Sequence, residues 1–272
     1  MRLSRAGACL AVAGVYVILR ITIPMLRVAH LNGILMVVMS IALMMLVQLA
    51  LAVSIAGLGM KPKTSAFWAL GSALVFVGFL LLFSSTAPAV PKAVARGLVA
   101  IQQLSLMSLA AFLGCTVSHI VREPNLLLPV AMVAALVDYW NVRLGPLGHL
   151  IENKPSVVSA VAVHMPSPVP GIPAMMVGMG DFVFLAMYFA ILFRFGMNVR
   201  GTFWLGYVVL TASMLFVLKA GVLPALIPMG LAVIVANARH FKLSREEKVA
   251  VLYAAALVLV LFAASGIFLS RR

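Results

Sequence analysis

The sequence predicts an all-α, polytopic membrane protein with about nine transmembrane helices. Three observations carry this. Apolar residues make up 64% of the chain and charged residues 10%, whereas an aqueous domain sits near about half apolar and a quarter charged. The mean hydropathy is +1.17. Apolar stretches recur at the ~20-residue length that a bilayer's hydrocarbon core demands.

The nine stretches cover roughly 7–28, 33–57, 66–88, 98–120, 124–142, 173–195, 200–220, 222–238 and 247–269. They consume most of the 272 residues, so no aqueous domain is expected. The chain reads as a single transmembrane domain over 1–272, with amino-terminal helices in 1–122, a central group in 123–238, and a loop with a further helix in 239–272. Arg2 and Arg5 precede the first stretch as in a signal peptide. Its apolar run is long, however, and has no small-x-small cleavage site before Arg27, so it reads as a retained helix. The longest connection, about 143–172, holds a semi-apolar piece from Pro155 to Met165 and then Pro166, Pro168, Pro170 and Pro173. Proline fixes φ and removes backbone donors, which suits a stop before the next span.

The net charge of +14 suggests nucleic acid at first sight. The basic residues are instead scattered over short loops: Lys61, Lys63, Lys92, Arg96, Arg239, Lys242, Arg245, Arg271 and Arg272 all flank apolar stretches. That is the pattern of anchors at anionic headgroups, so the lipid bilayer is the expected partner and nucleic acid is not. Alternate loops carry eleven Lys and Arg on the amino-terminal side and eight on the other, with Arg20 inside the first stretch. The two cysteines, Cys9 and Cys115, lie in or beside apolar stretches and read as small packing residues.

The acidic residues are the informative ones. Glu123, Glu152, Glu246 and Glu247 fall in loops or at span ends, whereas the only two aspartates, Asp138 and Asp181, fall inside apolar stretches. An ionisable group in the bilayer costs about 2.5–3.5 kcal/mol on insertion scales and marks function by default. No basic residue shares the central part of either stretch to neutralise it. Asp138 lies about five residues before its stretch ends, and Asp181 about eight residues after the next one begins. Consecutive spans run antiparallel, which puts the carboxyls at depths of roughly 7 and 12 Å from the same membrane face. Two carboxyls at matching depth can share one proton, because both cannot ionise comfortably side by side. The ionised member then takes a proton from water while the protonated one donates to an amide carbonyl. Which aspartate is the base stays open, since such a pair titrates as a unit.

Around the second aspartate the chain reads Gly178-Met179-Gly180-Asp181-Phe182-Val183-Phe184. Glycines there leave room for a helix, a water or a peptide backbone. Farther on stands Leu223-Pro224-Ala225-Leu226-Ile227-Pro228. The first string resembles the GxGD motif of the presenilin and signal peptide peptidase family of intramembrane aspartyl proteases, and Pro224-Ala225-Leu226 resembles that family's PAL motif. Asp138 stands where the family's first aspartate stands. After it, Gly145-Pro146-Leu147-Gly148-His149-Leu150-Ile151-Glu152 is similar to the presenilin stretch at that place. Order and approximate spacing agree over about residues 125–238. Four departures are plain: Val137 precedes Asp138 where the family has Tyr, four stretches precede that of Asp138 where the family has five spans, the loop after Asp138 is shorter than in eukaryotic presenilins, and an extra apolar stretch follows the PAL region.

The resemblance implies a presenilin-like fold in which 123–238 hold the catalytic helices. It implies an endopeptidase acting on transmembrane-helix substrates, with Asp138 and Asp181 catalytic, and residence in a prokaryotic plasma membrane. Gly178, Gly180, Phe182, Tyr139, Pro224, Ala225 and Leu226 would form the substrate site. No cofactor and no metal are implied. Presenilins and signal peptide peptidases sit in opposite orientations; the loop charges favour the second and the local sequence the first, so both stay open. A proton-coupled transporter would also use intramembrane aspartates but should show inverted repeats, and a non-catalytic scaffold is the third reading. HExxH, the mark of a metalloprotease, is absent. Gln102, Gln103 and His119 read as polar contacts between helices.

Overall fold

The computed structural model describes residues 4–25, 33–86, 91–143, 159–169, 175–220 and 223–246, with scattered positions as far as 260. Helix dominates. Among the described residues six helical segments are long and apolar enough to cross a membrane: Arg5–Met25, Gly33–Ala56, Pro62–Leu82, Val94–Ile120, Pro124–Val142 and Val199–Leu218. Long apolar side chains stay exposed along them, among them Leu10, Ile34, Phe67, Leu70 and Leu74. Such a surface suits lipid acyl chains and marks an integral membrane protein. The expected stretches at 173–195 and 222–238 appear as helices of 16 and 12 residues, and most of 247–269 lies outside the described residues.

The chain forms two compact units, one from Met1–Ile120 and Pro155–Arg194, the other from Val121–Lys154 and Phe195–Arg272. The first unit contains α1 (Arg5–Thr22), α2 (Gly33–Ala56), α3 (Pro62–Thr86) and α4 (Lys92–Val117), then a small hairpin of β1 (Ala162–His164) and β2 (Met176–Gly178), then α6 (Met179–Arg194). The second contains α5 (Leu127–Arg143), α7 (Val199–Ala220) and α8 (Leu226–Asn237).

Contacts at the two ends of the first unit fix its helix directions. At one end Arg5 donates to the Gly57 carbonyl at 3.2 Å, Arg194 donates to the Ser118 carbonyl at 2.9 Å, and Gly57 lies against the Phe193 ring. At the other end Gly33 lies against Val169, and Arg20 and Gln103 both reach His164. So α2, α4 and α6 run away from the hairpin and α1 runs toward it. Helix α3 is antiparallel to α4, with Ser65 Oγ donating to the Phe112 carbonyl at 2.7 Å and Trp68 stacked on Phe112.

Lipid supplies no hydrophobic drive between helices, so close packing of small residues must hold them. The seam between α4 and α6 shows this. Ala110, Ala111 and Ala186 are buried, and a Cβ added at Gly114 would overlap the Val183 carbonyl and lie 2.9 Å from the Met187 nitrogen. In the second unit Gly230 of α8 lies against Ala131 of α5. Asn237 ties α8 to the start of α7, donating to Thr202 Oγ1 at 2.7 Å and accepting from the Asn198 N–H at 2.8 Å.

The hairpin departs from the expectation of helix from about residue 173. Helix α6 starts only at Met179, and the residues just before it pair with β1. The physical reason is local. Val163 and Val177 face each other in register and β-branched side chains suit a pleated strand, while Pro166 and Pro168 keep residues 165–169 out of helix. Of the proline run, residues 170–174 lie outside the described residues, as does the stretch 145–152.

Candidate active site

Asp138 stands in the last turns of α5, half-buried, in the second unit. Its Oδ2 accepts the backbone N–H of Leu226 at 2.9 Å. The reason lies at the start of α8. The first amides of a helix have no acceptor within it, and here the N-cap residue is Ala225, whose side chain supplies none. Pro224 is buried and has no N–H of its own. Asp138 thus does from a neighbouring helix what an Asn or Ser at the cap would do locally. The positive end of the α8 dipole faces a carboxyl oxygen, a complementary arrangement. Pro224-Ala225-Leu226 therefore meets Asp138 directly, 88 positions away in sequence. Tyr139 and Asn141 are half-buried, and Trp140 is 54% exposed, as suits an interfacial aromatic.

Asp181 stands in the first turn of α6, in the first unit. It is half-buried, and its helix emerges directly from β2. Gly178, the last residue of β2, backs the carboxyl: a Cβ built there would lie 3.4 Å from Asp181 Oδ2. Gly180 is exposed, and a Cβ there would meet nothing within 4 Å. The two glycines therefore differ, one giving close approach to the acid and the other leaving open space. Phe182 is 4% exposed and holds α6 in its unit. Within the second unit Leu226 meets Asp138, and within the first Gly178 lies against Asp181.

Two polar side chains complete the surroundings of the hairpin. Gln103 of α4 accepts the His164 N–H at 3.0 Å, and Arg20 of α1 donates to the His164 carbonyl. The sequence marks Arg20 only as a charge inside an apolar stretch and Gln103 only as a polar residue within a span. Neither signal names a strand as the partner. The His164 ring turns back to the Ser159 carbonyl, with Nε2 at 2.8 Å. Among the described residues no group of three or more His, Cys, Asp or Glu comes together as a metal site. Compared with protein-family models, with curated proteins and with solved structures, the chain matches none.

Proposed function

We propose that this membrane protein is an aspartyl endopeptidase that cuts peptide bonds within or near the membrane spans of other proteins, of the presenilin and signal peptide peptidase type. The observation that carries the reading is the Leu226 N–H on Asp138. A membrane-embedded aspartate and a proline-led helix start have no need of one another in a scaffold, yet here one caps the other. The same contact orients one carboxyl oxygen and leaves the other for a water or a peptide group.

The chemistry follows from a pair of carboxyls. Asp138 and Asp181 hold one proton between them; the ionised member removes a proton from water and the other protonates the amide carbonyl. The water oxygen bonds to the carbonyl carbon to give a gem-diol; as the C–N bond breaks, the nitrogen takes the proton that came from water, and a diol hydroxyl returns a proton to the other carboxyl, which restores the starting state. Peptide bonds in a helix are shielded, so a substrate must be extended before attack. A strand beside Asp181 supports this step, because a sheet edge accepts an extended peptide through main-chain hydrogen bonds. The resemblance gives Gly178, Gly180, Pro224, Ala225 and Leu226 as substrate-binding residues.

A peptide isostere carrying a hydroxyl in place of the scissile amide tests the proposal. Fitted with a photoreactive group, it should label the wild-type chain, and either Asp138→Asn or Asp181→Asn should abolish labelling. Equal labelling of all three proteins would sink the reading.

A further inference from the structure

Backbone at membrane depth needs a partner for each polar group. The pleat of the hairpin decides where those groups point. Met165 donates its N–H to the Met175 carbonyl at 2.7 Å, which makes that pair a hydrogen-bonded one. Two residues back in the same register, Val163 opposite Val177 is the next such pair, and His164 opposite Met176 is not. His164 therefore turns both its N–H and its C=O away from β2. Each of the two meets a buried side chain from a different helix: Gln103, 5% exposed, takes the N–H, and Arg20, 9% exposed, takes the C=O. By the same alternation Met176 and Gly178 turn their N–H and C=O to the far edge of β2, beside Asp181.

We propose that Arg20 and Gln103 are positioning residues for the proteolysis proposed above, on which this inference rests. They pin β1 to α1 and α4 through the two backbone groups of one residue. Pinned β1 holds β2 extended, with its far edge ready to pair with a peptide. Ordering that strand beforehand removes a cost from binding. The pair therefore acts on KM and leaves the chemical step alone. Satisfying two half-buried backbone groups without any effect on substrate is the plain structural role, and it predicts something different. A less stable fold lowers the number of active molecules, and hence the apparent kcat, at unchanged KM.

The experiment uses the full chain in proteoliposomes with one single-span substrate. Gln103→Leu and Arg20→Met remove the two contacts. Gln103→Glu keeps a carboxyl oxygen as acceptor in either protonation state, and Arg20→Lys keeps a donor. Hydrogen exchange at 162–165 and 176–178 is followed in parallel. The expected result is faster exchange in Gln103→Leu and Arg20→Met, with KM raised about five- to tenfold, as for one lost hydrogen bond. Their kcat should hold, and the two conservative variants should return KM toward wild type. Cleavage by wild type with KM unchanged in Gln103→Leu and Arg20→Met overturns the positioning role alone. Absence of cleavage by wild type, with the His164 amide protected, overturns the protease reading and the role with it.

Discussion

At the residue scale the candidate site rests on two carboxyls and the backbone around them. Asp138→Asn keeps an oxygen for the Leu226 N–H but removes the acid. It should fold as wild type does and cleave nothing. Asp138→Ala leaves that N–H at the start of α8 without its acceptor, a loss of about 1–3 kcal/mol where buried, offset in part by removal of a desolvated carboxyl. Unfolding in mixed micelles should therefore rank Asp138→Ala below Asp138→Asn, and the reverse order would count against the capping contact. The glycines make a second comparison. Gly178→Val suits a strand, but its methyls would extend from a Cβ already 3.4 Å from Asp181 Oδ2. Displacing a reacting group by ~1 Å can cost about a hundredfold, and a drop of that order in kcat/KM is the expected outcome. Gly180→Ala meets open space and should change activity far less. Equal activities for the two variants would separate Gly178 from the site. Asp138 and Asp181 stand out in the sequence because lipid penalises charge. Arg20 stands out by the same rule, but its partner and that of Gln103 do not, because both serve a backbone group, 144 and 61 positions away.

At the scale of elements, long apolar runs are legible because length and hydropathy alone define a span. Helices α1 to α5 and α7 lie where those runs lie. The hairpin was not legible. Strands of three residues are too short to show a period of two, and these sit beside a proline-rich connection that reads as loop. What creates them is tertiary: Val177 opposite Val163, and His164 held from α1 and α4. The antiparallel pairing of α5 with α8 is a tertiary finding: Gly230 lies against Ala131, and Leu226 reaches the end of α5 that holds Asp138. Packing between elements gives its own prediction. Gly114→Ala puts a methyl into the Val183 carbonyl and should destabilise the α4–α6 seam by about 1–3 kcal/mol, the cost of overpacking. Gly14→Ala meets nothing within 4 Å and should stabilise α1 by about 0.5–1 kcal/mol through helix propensity. Chemical unfolding of the two variants in micelles measures both, and a tolerated Gly114→Ala would mean that α4 and α6 do not pack in close contact at Gly114.

At the scale of the whole molecule, the six segments of span length among the described residues and their exposed apolar faces make an integral membrane protein. Direction across the membrane was not legible, because eleven basic residues against eight is a small bias and Arg20 is buried within a unit. Direction matters to function, since a protease with its aspartates near one face meets substrate helices of one orientation in register. The most direct measurement reconstitutes wild type, Asp138→Asn and Asp181→Asn in proteoliposomes with single-span substrates of both orientations, and maps the products by mass. Cuts inside the substrate span by wild type alone, in substrates of one orientation, are the predicted result. Cuts that persist in either variant, or substrates of both orientations left intact by wild type, would contradict an aspartate-pair protease.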